Sequence, residues 1–340
     1  MVVLMVSLTC GANESEITIE ENQPTLDVRV NPKYPPDLVR KSKHGWVQLN
    51  FLIDTEGHVG EVIVVDSSGE SGFEKAAKAA LKKWQYKPAK LAGKPVITAN
   101  LQVQLDFSIG ASVLKGASSN FIAKYKDIRK AFETKDYDSV ESGLRRLKRI
   151  SSDSYYEYTL YKSLQADYYQ QIGNKRSELN SLTSIPLETA YAEKLITQAQ
   201  YFANLARIFQ LSVPLNRFVL AQRTFDRIKT VNSTHHYVTA FQPYIEQVQA
   251  MIASEAPINV SGELNHRDLW LHRLVRSSFT FKEVRGEPEY IEFRCSNLFE
   301  RHPFVKEKEW RLPDKPENCT IVVSGDEGSK FTLVELNKPG

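Results

Sequence analysis

The seven histidines and three cysteines are the residues of this chain best suited to chemistry, and their spacing decides which chemistry is open to them. None of the histidines falls in an HExxH pattern or between carboxylates at metal-ligand spacing. His235 and His236 are adjacent, so their side chains diverge on a helix, and we interpret them as a surface pair. The sequence therefore predicts no metal site. The histidines are His44, His58, His235, His236, His266, His272 and His302.

The segment Gly69-Glu70-Ser71-Gly72 begins like the nucleophile elbow of a hydrolase. The closing glycine of that motif would fall at Phe73, and Ser71 with Glu74 has capping-box spacing, so we interpret the segment as a helix start. The chain has no Walker A loop and no Rossmann glycine pattern, and a net charge of +3 gives no argument for nucleic-acid binding. We expect no catalytic residue, no cofactor and no nucleic-acid partner.

The cysteines are informative about the cellular compartment. Cys10 lies near the amino terminus, which leaves Cys295 and Cys319 as a pair, and a pair in an exported protein is typical of a disulfide. Closing a loop of about 25 residues stabilises a fold by about 3 kcal/mol in the chain-entropy model. The alternative is two unrelated buried thiols. Because the sequence contains no CxxC motif, a zinc or redox site is disfavoured.

The first group of elements that could position a functional site is a small α+β pattern between Tyr34 and Phe107. A turn at 54–57 separates two alternating segments, and a third alternating segment ends at Phe107, so three strands are predicted. Between the second and third strands, apolar residues recur at helical spacing. The second strand, 59–65, is the more apolar of the first two. The apolar positions of the other elements are Val47, Leu49, Phe51 and Ile53, then Phe73, Ala76, Ala77, Ala80, Leu81 and Trp84, then Leu101, Val103, Leu105 and Phe107.

Several short motifs in this region resemble the C-terminal domain of TonB-type energy transducers. They are Tyr34-Pro35, Gly45-Trp46-Val47, Ile53-Asp54, Gly57, Ser67-Ser68-Gly69, Phe73, Ala76-Ala77 and Trp84-Gln85-Tyr86-Lys87-Pro88. The resemblance covers residues 28–109 and implies a short antiparallel sheet packed on two helices. It also implies an exposed sheet edge that accepts an extended peptide, the TonB box, from an outer-membrane receptor by strand addition.

The resemblance implies two sets of partner-binding residues. An edge strand presents unpaired backbone groups that a partner strand satisfies, and 98–106 is the predicted edge. The segment before and at the Tyr-Pro pair is the second set, with Asn31 the strongest candidate. The alternative is that the polar strand residues are solvated and Asn31 is a loop residue. The candidates are Asn31, Pro32, Lys33, Tyr34, Asn100, Gln102 and Gln104.

Residues 1–12 are apolar but too short to cross a bilayer, because about 12 helical residues rise only about 18 Å against a core of about 30 Å. We interpret them as a trimmed signal peptide, the remnant of a membrane anchor, or a lipoprotein or cytosolic start. Any membrane association would use a missing or trimmed amino terminus. A longer true start would indicate an inner-membrane anchor.

Residues 118–254 are predicted to be all helical. Of 15 tyrosines, 12 lie between Tyr125 and Tyr244, and this segment contains only Gly143 and Gly173. Turns at intervals of about 40 residues are typical of degenerate tetratricopeptide-like repeats, whose concave groove would hold a peptide. The alternative is a closed helical bundle without a groove. A basic cluster at 145–149 is interpreted as a solvated helix face.

Residues 257–338 are predicted to form a small β domain that contains the Cys295 to Cys319 pair. Strands are expected around Phe279 and Phe281, at 290–295, at 320–324 and at 331–336. In a domain of about 80 residues, a disulfide would supply stability that the core alone provides poorly.

The sequence therefore predicts a multidomain α+β protein: a TonB-like sheet with two helices at 25–110, an all-α repeat domain at 118–254, and a small β domain at 257–338. The first functional hypothesis is a periplasmic TonB-family protein that binds an outer-membrane TonB-dependent receptor, or another envelope protein, and assists transport across the Gram-negative outer membrane. The second is a periplasmic scaffold that joins partners without transmitting energy. An enzyme is the hypothesis that the sequence favours least.

Overall fold

The computed structural model describes residues 23–107, 116–151, 154–185, 195–312 and 319–337. The chain is α+β, with strands at both ends of the described sequence and helices between them. The interpretations of residues 1–12 lie outside the described residues. Within the described ranges, no helix is both long and apolar enough to cross a membrane.

The amino-terminal region is built on a three-stranded antiparallel sheet with β2 in the centre, in the order β3-β2-β7. The three predicted strands and the predicted helix are confirmed. The elements are β1 Thr25–Val28, α1 Pro36–Arg40, β2 Gly45–Ile53, β3 Val59–Ser67, α2 Ser71–Leu81, β4 Gln85–Lys87, β5 Lys90–Leu91, β6 Lys94–Pro95 and β7 Thr98–Phe107. Short ribbons pair β1 with β4 and β5 with β6.

One face of this sheet packs on α2, because the alternation places Val47, Leu49, Phe51 and Ile53 on the same side as Phe73 of the helix. The predicted capping box at the start of α2 is wrong. Ser71 is the first helical residue, Glu70 is the N-cap, and no side chain caps the helix. Glu74 instead accepts a hydrogen bond from the Ser67 hydroxyl at 2.5 Å, so its carboxylate contacts the end of β3 and does not cap the helix.

The middle of the chain consists of helices, each of which packs on the next along the chain. They are α3 Ser119–Glu133, α4 Tyr137–Lys148, α5 Tyr155–Gln171, α6 Lys175–Thr183, α7 Gln198–Ser212, α8 Phe218–Val231 and α9 His236–Ala253. The predicted turns at Lys135-Asp136 and Gly173-Asn174 are confirmed. Asp136 and Asn174 each cap the helix that follows. The assignment to tetratricopeptide-like repeats stays a prediction.

The carboxy-terminal region is a β-sandwich of two four-stranded antiparallel sheets, in the orders β13-β10-β15-β8 and β12-β11-β14-β9. Their inner faces share one core that includes Phe279, Phe281, Ile291 and Leu333. The four strands predicted here are confirmed. The strands are β8 Ile258–Glu263, β9 Leu269–Arg273, β10 Ser278–Arg285, β11 Pro288–Arg294, β12 Phe299–Pro303, β13 Trp310–Arg311, β14 Thr320–Gly325 and β15 Lys330–Leu336.

The predicted disulfide is present between Cys295 and Cys319. It joins the end of β11 to the start of β14, two strands that are already antiparallel neighbours, and both cysteines are buried. The residue boundaries of the three predicted domains stay predictions.

The helices and the sandwich are joined by a buried chain of polar groups. Arg217, which precedes α8, approaches Nδ1 of His272 at 2.9 Å, and Nε2 of His272 lies 2.8 Å from Glu335. An arginine can only donate, so Nδ1 of His272 accepts and Nε2 donates to the carboxylate, which requires a neutral imidazole. Burial agrees with this, because it lowers the pKa of His272 despite the hydrogen bond to Glu335, which raises it.

We predict that cleaving the disulfide lowers the free energy of unfolding by about 3 kcal/mol, since the unfolded chain regains the entropy of an open loop of about 25 residues. The C295S/C319S variant should show this loss in urea denaturation. The control is C10S, which removes a cysteine outside the bridge. Equal stability of the two variants would contradict the prediction, as would three free thiols in the denatured, unreduced protein.

We predict that His272 makes stability depend on pH below about 6.5, the ordinary pKa of histidine. As the pH falls from 7 to 5, the unfolded chain takes up a proton that buried His272 does not, so the free energy of unfolding decreases. The contribution is at most about 1.4 kcal/mol per pH unit. H272Q lacks the imidazole that takes up this proton. The free energy of unfolding, measured by urea denaturation, should therefore decrease less from pH 7 to pH 5 in H272Q than in the parent protein. Parallel pH profiles would contradict the assignment.

Candidate strand-binding site

The candidate site is the outer edge of β7, the side that faces away from β2. The two strands pair in continuous register from Gly45 opposite Phe107 to Phe51 opposite Leu101. Within the described ranges, no second strand pairs with β7. The prediction that 98–106 forms an edge strand is therefore confirmed, and part of its backbone has the arrangement that strand addition requires.

The beginning of this edge is covered by the chain itself. The backbone N–H of Ala99 donates to the carbonyl of Cys295 at 3.1 Å. Ala99 is 1% exposed, so this end of β7 is closed by the carboxy-terminal sandwich.

A buried arginine fixes that contact. Arg294, at the end of β11, is fully buried and donates from Nη1 to the side-chain oxygen of Asn50 at 3.0 Å and to the carbonyl of Glu61 at 3.1 Å. Its Nε donates to Glu292 at 2.7 Å. The Asn50 amide donates in turn to the side chain of Asn100 at 2.9 Å. Asn100 is buried, so any contact of this residue with a partner would have to use its main chain.

The register of the sheet is irregular where Arg294 enters. Glu61 and Asn100 have φ values of 20° and 62°, and the pairing of β2 shifts on both sides near these residues. Bulges redirect the local backbone and carbonyl groups. Here they coincide with Glu61, whose carbonyl accepts from Arg294, and with Asn100, whose side chain accepts from Asn50.

The far end of β7 contacts helix α5. The Tyr155 hydroxyl donates to Asp106, and the Gln104 amide donates to Asp106 at 2.9 Å and to the Tyr155 oxygen at 3.4 Å. Trp46, on the same face of the sheet, packs edge-on against Tyr158 with ring centroids 5.6 Å apart. Gln104 is therefore engaged within the chain, whereas Gln102, in the middle of the strand, is exposed.

The second predicted set, 31–34, lies before α1 and is held at both ends. Trp84 donates from its indole N–H to the Val30 carbonyl at 2.8 Å. Tyr34 packs its ring against Phe73 and Phe107, and its hydroxyl donates to the Lys43 carbonyl. Between these anchors, the described conformation exposes Asn31 and Lys33 and half-buries Pro32. A role for these four residues in binding stays a prediction.

A second link joins the amino-terminal sheet to the sandwich. Arg267 donates to the Ser67 hydroxyl at 2.9 Å and to Glu74 at 3.0 Å. Partial burial raises the pKa of Glu74, but hydrogen bonds from Ser67 and Arg267 outweigh that effect and hold the pKa below its ordinary value. Glu74 is therefore ionised near neutral pH and paired with Arg267.

One group of potential metal ligands occurs among the described residues, at the turn between β2 and β3. Single ligand atoms of Asp54, Glu56 and His58 lie within 4.8 Å of one another. Asp54 already accepts backbone hydrogen bonds from Glu56 at 2.9 Å and His58 at 2.8 Å. The group is largely exposed, and the turn accounts for its geometry.

Comparison with known proteins identifies the amino-terminal region. Residues 30–109 match the family described as Gram-negative bacterial TonB protein C-terminal. This part of the chain is similar to a TonB C-terminal domain. The match covers a minority of the 340 residues and leaves the helices and the sandwich unassigned. The expected resemblance is confirmed for this domain.

Two solved structures match part of the chain. The solution structure of the TonB C-terminal domain of Pseudomonas aeruginosa has 22% identity, covers 27% of this chain and 91% of that chain, and has a TM-score of 0.24. The TonB2 protein of Vibrio anguillarum has 31% identity, covers 32% of this chain and 96% of that chain, and has a TM-score of 0.22. Among curated proteins, none matches the chain.

Sequence reasoning missed the residues that close the ends of the β7 edge. They are Asn50, Arg294 and Tyr155, and each acts across a domain boundary. Arg267, which links the sandwich to β3 and α2, was also missed. Of these residues, Asn50 had one weak signal in the sequence, a polar side chain between the apolar Leu49 and Phe51. The structure buries this strand on both faces.

We predict that R294M destabilises the protein by about 3 kcal/mol, because removing one partner leaves buried polar groups unpaired. Urea denaturation should show the loss, and hydrogen exchange should become faster at Ala99 and along β2. The control is R145M, which removes an exposed arginine paired with Glu141 and should cost less than about 1 kcal/mol. Equal stabilities of R294M and R145M would show that Arg294 does not hold the two domains together.

Proposed function

We propose that this chain acts in the Gram-negative envelope by binding an extended segment of a partner protein along the outer edge of β7. The observation that carries the proposal is that β7 has a strand partner on only one side among the described residues, in a domain that matches the TonB C-terminal family. Main-chain hydrogen bonds would supply the affinity, and alternate side chains the selectivity. The role is binding, and we assign no enzymatic step to the chain.

The free part of the edge defines what would bind. Its beginning is closed at Ala99 by Cys295, and its end is flanked by Tyr155, so a guest strand would pair between 101 and 107. Gln102 and Asp106 are the exposed residues in that stretch, and Asp106 already accepts a hydrogen bond from Tyr155. Asn31 and Lys33 are exposed on the segment that the family resemblance associates with the same partner.

We propose a periplasmic location and, as the partner, the TonB box of an outer-membrane TonB-dependent receptor, so that the chain assists receptor-dependent transport. The Cys295 to Cys319 disulfide supports an oxidising compartment. The consecutive helices α3 to α9 would add a tetratricopeptide-like surface for a second peptide.

A scaffold is the second candidate, and the packing between domains favours it. Arg294 and Arg267 attach the amino-terminal sheet to the sandwich, while Trp46 and Asp106 attach it to α5. A domain held by these four contacts is suited to keeping two partners at a fixed spacing. Deleting the chain should abolish receptor-dependent uptake under the transport hypothesis, whereas intact uptake with altered envelope composition would favour the scaffold.

We predict that a synthetic TonB-box peptide shifts and protects the backbone amides of 101–107, because a guest strand pairs with the unpaired side of β7. The measurement is amide NMR and hydrogen exchange on the labelled protein. Amides of β3, on the opposite edge of the sheet, serve as the internal control and should not change.

The matched peptide control is the same sequence with alternate residues N-methylated on the side that would face β7, which removes its main-chain donors. This peptide should bind much more weakly. Unchanged spectra at millimolar peptide, or equal binding of both peptides, would argue against strand addition at β7.

A further inference from the structure

A polar cleft of about 100 Å³ lies where the helices meet the sandwich. Its walls come from α6, the loop before α8, and β8, so both domains contribute. The lining includes two arginines and four neutral polar side chains but no carboxylate. The polar lining residues are Arg176, Asn180, Asn216, Arg217, Asn259 and Ser261.

Arg217 is held in one orientation at this cleft. Its Nη1 donates to the Leu271 carbonyl at 3.3 Å and to Nδ1 of His272 at 2.9 Å. The guanidinium carbon lies 5.5 Å from the centre of the Trp270 ring. Among the described residues, no hydrogen bond uses Nε or Nη2 of Arg217, and no carboxylate forms an ion pair with it. The guanidinium is thus fixed on one side and retains donors on the other.

A second positive charge lies nearby. Burial lowers the pKa of Arg217 to about 10, and the charge of Arg176 contributes in the same direction. Arg176 forms an ion pair with Glu263 at 3.7 Å, and Glu263 is shared with Lys330 at 3.4 Å. The two guanidinium groups repel each other, and an anion between them would satisfy Arg217 and would share Arg176 with Glu263.

Neutral donors and a helix end complete the site. The Asn216 amide donates to the Asn259 carbonyl at 2.8 Å, which holds the loop before α8 against β8. Helix α8 begins next to the cleft at Phe218, and no side chain caps it. An uncapped helix start adds partial positive charge.

We propose that this cleft binds a phosphate group through Arg176 and Arg217. Planar guanidinium groups bind tetrahedral oxyanions with paired, charge-assisted hydrogen bonds, and two of them match the charge of a phosphate dianion. A volume of about 100 Å³ accommodates one such group. The phosphate is either a free ion or the end of a larger molecule that extends from the cleft into solvent.

The test is isothermal titration of the full chain with inorganic phosphate, at constant ionic strength set with sodium chloride. We expect saturable binding with one site per chain. Glycerol phosphate distinguishes the two sources, because tighter binding than inorganic phosphate indicates the end of a larger molecule. No heat beyond the chloride background would overturn the proposal.

One substitution should weaken phosphate binding and another should tighten it, and misfolding cannot produce both results. R176Q should weaken phosphate binding about 10-fold, which is the change expected when one charge-assisted hydrogen bond is lost. E263Q should tighten it about 3-fold, because it releases Arg176 from a competing carboxylate. The matched controls are R145Q and E141Q, which alter an exposed pair on α4 and should leave binding unchanged. If R176Q binds like the parent protein, or E263Q binds more weakly, the cleft is not the phosphate site.

Discussion

The arrangement of the domains depends on one buried guanidinium. Arg294 is fully buried, and a charge that leaves water must be matched by well-placed partners. Glu292 supplies the charge from the same strand, whereas Asn50 and the Glu61 carbonyl come from the amino-terminal sheet. Separating the domains would leave these groups to be satisfied by water. The sandwich and the sheet are therefore held in one relative position by hydrogen-bond geometry, which contact between apolar surfaces alone would not specify.

This constraint also shapes the candidate binding edge. With the non-core face of the sheet packed on α5 and the sandwich, a guest strand meets β7 only from the side. Cys295 closes one end of that side, and Tyr155 flanks the other. A guest would therefore be short, and its selectivity would come from contacts with few side chains, with Gln102 and Asp106 the exposed residues of β7 between 101 and 107. An isolated domain of this family would lack these limits, because both come from segments outside the matched residues 30–109.

Local patterns predicted the strands of the amino-terminal sheet and helix α2, because period-2 and period-3.6 alternation report directly on which face is buried. The edge position of β7 came from the family resemblance, since alternation does not say which strands are neighbours. Local patterns could not predict what covers the second face. Asn100 and Gln104 look like solvated strand positions, but Asn50 and Tyr155 engage them. The predicted capping box was wrong for the same reason, because Glu74 accepts a hydrogen bond from Arg267, which is 193 residues away in sequence. The disulfide was predictable because two cysteines remain in the predicted folded region, and such a pair is typical of a disulfide in the exported protein that the sequence led us to expect.

One sheet of the sandwich connects the two candidate sites. Arg294 lies on β11 and His272 on β9, with only β14 between them, and Ile321 pairs with both Phe293 and His272. Arg294 holds the amino-terminal sheet, while His272 orients Arg217 at the polar cleft. A continuous antiparallel sheet is stiff, so occupation of one site need not alter the other, and coupling would require two discrete arrangements of the sheet. Fixed spacing without coupling is the property a scaffold needs, which is why the packing favours that candidate on physical grounds.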